Sequence, residues 1–154
     1  MTYIQFYILA SDKIEDRWHY TQRLVSQSLR RGKSVHIHTA CASDTRLLIE
    51  RLEEGVLENY LATRSSANGR SANEKSDIDE MVFVDHKGEP DADRDVLINL
   101  SEEVPHFFSS FETTLEVIHD EPKAKAVGRE RYRYYQERGY PLKHQDIQPE
   151  LAIL

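Results

Sequence analysis

Cysteine is nearly absent: Cys41 stands alone in 154 residues. One thiol allows no internal disulfide and no cysteine-built zinc site. It also makes a reducing cytoplasm the expected compartment. Glycine and proline are few, six and five, as in an ordinary globular domain. No stretch approaches the roughly 18 apolar residues of a membrane span. The apolar opening, Met1–Ala10, lacks a basic n-region and a small-residue cleavage site, so it reads as a strand and not a signal peptide. An excess of positive charge is missing too. Net charge is −7, which disfavours broad DNA binding, because that depends on many Lys and Arg releasing counterions from phosphates.

What is present is enough chain for one domain with a real core. Its charge is uneven. Lys123–Arg138 carries six basic and two acidic residues, so it is locally +4 in a chain of −7. Such asymmetry marks either a solvated, ion-paired helix face or a local site for something anionic.

Periodicity lays out alternating elements. Thr2–Ala10 (TYIQFYILA) is a buried strand, with Ser11 or Asp12 able to cap the helix after it. Glu15–Arg31 has Trp18, Thr21, Val25 and Leu29 on one stripe, and Gly32 supplies a left-handed stop. Ser34–Thr39 is a short strand. A second helix runs from Ser43 or Asp44 to about Leu57. Ala62–Asp79 is a long polar surface loop. Glu80–Asp85, Asp95–Leu100 and Thr114–Ile118 are strands, with a short irregular helix in Ser101–Phe111. Glu121–Arg138 is the last long helix, ended by Gly139. The tail from Tyr140 to Leu154 is expected to run over the surface. Strand and helix alternate, which predicts one α/β domain with a mostly parallel mixed sheet and helices on both faces.

Catalytic motifs fail on spacing or context. Gly32-Lys33-Ser34 ends like a P-loop, but the required earlier glycine is Gln27, and the segment leaves a helix for a strand, the reverse of a P-loop. No GxGxxG or GxSxG occurs. His36 and His38 share a strand face near Cys41, yet nothing supplies the remaining zinc ligands. Asp91, Asp93 and Asp95 form a turn without a phosphate-handling loop. Cys41 has no evident base partner.

The last helix is different. Lys125, Arg129 and Arg133 repeat at i, i+4, i+8, with Tyr132 on the same side. Guanidinium forks beside an aromatic suit a carboxylate attached to an apolar side chain, as at an acidic peptide terminus. A single-stranded nucleic acid would also use Arg and Tyr together, and the pattern leaves both open.

The segments IQFYIL (Ile4–Leu9), RRGKSVHIHT (Arg30–Thr39), RDVLINL (Arg94–Leu100) and RERYRYYQERGYPL (Arg129–Leu142) resemble the chi subunit of the bacterial DNA polymerase III holoenzyme. The resemblance spans about Thr2 to Leu142 with a gap in the middle. It implies a single Rossmann-like domain over residues 1–142, followed by a C-terminal tail of residues 143–154, with no active site, cofactor, metal or membrane contact expected. It further implies a bridging role. Chi pairs with the psi subunit of the clamp loader and binds the acidic C-terminal tail of single-stranded DNA-binding protein (SSB), which ends in Pro-Phe with a free carboxylate. DNA is then met only indirectly.

By that resemblance Arg129 grips the terminal carboxylate and Tyr132 is the pocket aromatic. Arg133 stands where a lysine is usual, Lys125 meets the tail's acidic residues, and Ile118 is an apolar pocket wall. The chain departs from the family around Leu57–Gly69. Leu57 sits near a usual Trp, and Tyr60 and Leu61 are the large apolar candidates in place of a Pro/Phe/Pro-His loop. The alternatives are a single-stranded nucleic-acid-binding module acting through the same helix, and a nucleotide-using enzyme on the same fold class.

Overall fold

A computed structural model of the chain describes residues 1–54, 81–90 and 94–148. The β-branched and aromatic runs form strands: β1 (Tyr3–Leu9), β2 (Val35–His38), β3 (Val82–Asp85), β4 (Val96–Asn99), β5 (Thr113–Ile118) and β6 (Leu142–Ile147). The periodic segments form α1 (Ile14–Arg30), α2 (Ala42–Glu54) and α3 (Pro122–Glu137), and Phe108–Ser110 makes a 3-10 turn. The strands join one sheet in the order β3-β2-β4-β5-β1-β6. Each of its pairings is parallel, where the sequence suggested a mostly parallel mixed sheet. The fold is an α/β, Rossmann-like layer arrangement.

Each face of the sheet carries its own core. Alternate residues of the strands point to opposite sides. Leu9, Val35, Ile37, Val96, Ile98 and Val117 pack with Leu24, Val25 and Leu29 of α1 and with Leu48 and Leu52 of α2. On the other side Ile4, Phe6, Leu97 and Ile118 pack with Phe107, Phe108 and Phe111 of the turn region and with Tyr135 of α3. Helices thus cover both faces.

Gly32 and Gly139 adopt φ of 73° and 76° and close α1 and α3 as their positions suggested. The cap at the other end of α1 differs. Its N-cap is Lys13, without a side-chain bond. Ser11 Oγ accepts from Lys13 N at 3.1 Å and donates to the carboxylate of Asp16, so it shapes the turn and leaves the helix uncapped.

The tail holds the main correction. Leu142–Ile147 does not run loose over the surface; it pairs with β1 from Ile4↔Leu142 to Leu9↔Ile147. Its middle, Lys143–Asp146, is exposed, because an edge strand has one neighbour and little cover. Only its ends are anchored: Leu142 packs on the α3 side and Ile147 is buried on the α1 side. Four polar residues between two apolar ones carry no period-2 signal, so the strand was hidden. The polar loop Ala62–Asp79 and the expected helix end at Leu57 lie outside the described residues. So do Asp91 and Asp93. Asp95 is structural: its carboxylate accepts from Ser34 N at 2.9 Å and Ser34 Oγ at 3.2 Å, tying the start of β2 to the start of β4.

Candidate peptide-binding face

α3 is built to stand in one orientation. Pro122 fills its first turn, where the missing N–H is harmless. Glu121 caps it, accepting from Lys123 N at 3.0 Å and Ala124 N at 2.8 Å. Those two N–H groups hold the Glu121 carboxyl below the usual range. Rotation about the axis is then fixed from below. Glu116, in mid-β5, is wholly buried. It accepts from Arg131 Nε at 2.9 Å, Tyr135 Oη at 2.8 Å and Asn99 Nδ2 at 2.9 Å. Arg131 Nη1 also donates to Glu102 O at 2.9 Å. A buried carboxylate with three donors, one of them a guanidinium, is compensated; without the guanidinium it would be strongly unfavourable. The burial of Tyr135, then the Glu116 charge, push its hydroxyl far up. Below the network, Arg17 of α1 donates to Val117 O at 2.9 Å and Leu100 O at 3.3 Å. Burial, then Arg131, push it down to about 10.

With Gly128, Arg131 and Tyr135 turned to the sheet, helical geometry carries Lys125, Arg129, Tyr132 and Arg133 to the flank on the β6 side. The six cations counted in the sequence now separate. Arg131 is engaged by Glu116. Lys123 pairs with Glu102 at 3.3 Å and Lys125 with Asp120 at 2.8 Å. Arg138 lies 3.5 Å over the Tyr134 ring centre. Arg129 and Arg133 are exposed and form no ion pair or hydrogen bond among the described residues. Tyr132 lies half-buried beside them, its ring edge-on to Phe6 at 5.1 Å and to His144 of β6 at 6.2 Å. The flank offers two guanidinium forks next to an immobilised ring.

Ile118 is 5% exposed and seated under α3. A Cβ added to Gly128 would meet its Cδ1 at 3.0 Å. The absent side chain of Gly128 is what lets helix and strand approach. Ile118 thus forms a floor beneath the helix. Leu57, Tyr60 and Leu61 lie outside the described residues.

Sequence reasoning passed over the Glu116 network, Arg17, and the two rings holding Tyr132. One signal was present: Glu116 interrupts an apolar strand, TTLEVI, with Arg131 and Tyr135 one turn apart to meet it. His36 and His38 do share a face. His36 stacks on Phe83 at 5.3 Å, and His38 meets Phe107 edge-on at 5.4 Å. No group of three or more His, Cys, Asp or Glu among the described residues could hold a metal ion. None of their helices is long and apolar enough to cross a membrane. Ligands of parallel sheets bind outside the carboxyl ends of the strands. There a cavity of about 150 Å³ is lined by Arg17, His119, Lys123 and Arg131, but the Glu121 carboxylate already occupies the helix N-terminus that would cradle a phosphate.

Comparison with known proteins bears on this arrangement. Residues 1–143 match the family described as DNA polymerase III chi subunit, HolC. The DNA polymerase III subunit chi of Pseudomonas aeruginosa is 31% identical over 146 residues, which cover 92% of this chain and 94% of that protein. A match over nearly the whole chain, carried by a family and by an individual relative, places the chain in the DNA polymerase III chi subunit family.

Proposed function

We propose that this chain is a non-catalytic, cytoplasmic subunit that links psi, and through it the clamp loader, to SSB by holding the acidic C-terminal tail of SSB on the α3 flank. The supporting observation is the pair of exposed guanidinium groups, Arg129 and Arg133, unpaired among the described residues, on the helix that also carries the half-buried Tyr132 ring. Arg129 takes the terminal carboxylate in a bidentate bond. The last apolar side chain lies against Tyr132. Upstream acidic residues meet Arg133 and Lys125, the latter exchanging Asp120 for the tail. On this flank DNA is reached only through SSB.

Calorimetry with a peptide of the SSB tail tests the reading. Arg129→Ala removes a charge-assisted contact of about 1.5–3 kcal/mol, a loss of roughly ten- to hundredfold in affinity. Removing the peptide's terminal Phe also weakens binding. Unchanged affinity in Arg129→Ala would rule out this flank. Co-purification with psi, which Arg129→Ala leaves intact, separates the two partners.

A further inference from the structure

The sheet face opposite α3 is only partly covered. Leu9 and Ile147, at the carboxyl ends of β1 and β6, are buried with α1 on this face, while Tyr3 and Lys143, near the amino ends, are exposed. Tyr3, Gln5 and Tyr7 alternate onto this face, and Lys143 stands beside Gln5 in register. A groove of about 360 Å³ runs there, bounded by Arg31 and Lys33 at the end of α1. That volume is within the range of small-ligand clefts.

Two properties of the groove need a partner. One is aromatic: Tyr3 is 59% exposed, while Tyr7 is braced 5.3 Å from Tyr20. The other is charge. Lys33 pairs with Glu112 at 3.5 Å, but Arg31 and Lys143 form no ion pair among the described residues. Arg31 reaches Tyr7 closely enough to pull its hydroxyl down, against the larger upward push of burial. Three cations against one carboxylate make this groove positive in a chain of −7. The carbonyl end of α1 opposes an anion here. The carbonyls of Gln27, Ser28 and Leu29 in its last turn are engaged, however, by the N–H groups of Arg31, Gly32 and Lys33.

An exposed ring flanked by unpaired cations is the combination on which single strands bind, a base on the ring and phosphates on the cations. The two aromatic sites differ in exposure: Tyr132 is half-buried and edge-on to Phe6 and His144, a wall for one side chain, whereas Tyr3 is 59% exposed and offers a ring face on which a base can stack. The groove also opens at the amino ends of the strands, away from the end where soluble nucleotide cofactors sit in such sheets. We propose that this groove is a contact site for single-stranded DNA, with one base on Tyr3 and the flanking phosphates on Arg31 and Lys143. It lies across the sheet from the α3 flank and does not depend on the peptide-tail reading. The chain can hold a protein tail and a strand at the same time.

Fluorescence anisotropy of the full chain with a labelled oligo(dT) of about 16 nucleotides, over a series of low salt concentrations, tests this. Tyr3→Ala should weaken binding about tenfold. Arg31→Ala and the exposed Lys143→Ala should each reduce the salt slope by about 0.7. Arg129→Ala should leave both unchanged. Circular dichroism checks that each variant is folded. Three results overturn the proposal: no binding of wild type at the lowest salt, binding lost in Arg129→Ala but kept in Tyr3→Ala, or an acidic peptide displacing the strand from the groove.

Discussion

The two faces of the sheet are held by different physics. Among the described residues, 16 buried ones make the core on the α1 and α2 side, and only Trp18 and Tyr20 of these are aromatic. On the α3 side, five of eight are aromatic, and the buried ionisable groups His36, Glu116 and Arg131 lie among them. Aliphatic packing is non-directional and tolerates volume-conserving exchange. The α3 side adds directional bonds to one carboxylate, and those bonds choose which flank of α3 faces out. The face that presents the candidate site is the face whose helix is pinned by polar bonds.

The largest effect should come from cutting the pin. Arg131→Ala strands Glu116 as an uncompensated buried charge and should destabilise by about 3–5 kcal/mol in urea unfolding. Leu48→Ala, in the opposite core, should cost a similar amount, about 2–5 kcal/mol, through a cavity. The two should part in function. At a temperature where both variants are folded, Arg131→Ala should weaken tail binding while Leu48→Ala leaves it alone. Equal affinities would mean that the network stabilises the fold without orienting the flank. Tyr135→Phe removes one of three donors to Glu116 and should cost about 1.5–3 kcal/mol, with a smaller loss in tail affinity.

The comparison also predicts where pH acts. His38 faces the aromatic side, beside Phe107. Burial, the largest cause, lowers its pKa below 6.5; Asp85 opposes this, and His106 and His86 add to it. The charged form is therefore disfavoured in the folded state. Stability is whole above pH 6.5 and is lost as pH falls through the unfolded and then the folded value. His119 adds the same sign, from burial and then Arg17. Urea midpoints from about pH 7.5 to about pH 5 should fall in wild type and flatten in His38→Gln. An unflattened curve would place the acid sensitivity elsewhere.

Most of the layer order was legible, because buried parallel strands are continuous apolar runs and helices repeat at 3.6 residues. β6 was not, since Lys143–Asp146 is polar on both sides and its pairing is decided by Leu142 and Ile147 alone. The site was legible as a stripe. Spacing gave Lys125, Arg129, Tyr132 and Arg133, but it could not tell an engaged cation from a free one. Lys123, Arg131 and Arg138 look the same in sequence as Arg129, and only the positions of Glu102, Glu116 and Tyr134 distinguish them. Phe6 and His144 were invisible as partners of Tyr132, because Phe6 comes from β1 at the other end of the chain and His144 from β6, whose strand character the sequence hid.

Gly128 gives the smallest and most discriminating test of how α3 meets its face. Alanine in a helix interior is favoured over glycine by roughly 1 kcal/mol. Here the new methyl would press on Ile118 Cδ1 at 3.0 Å, and Ile118 is buried with little room to move. The gain and the overpacking cost are of similar size, so Gly128→Ala alone should be near neutral. Ile118→Val deletes Cδ1 and leaves the next contacts at 3.4 and 3.5 Å. In that background Gly128→Ala should stabilise by about 1 kcal/mol. The resulting coupling in a double-mutant cycle measures the close approach directly. An additive cycle would show that α3 is held at its height by the Glu116 bonds alone, and that glycine at 128 is not required for the contact with Ile118.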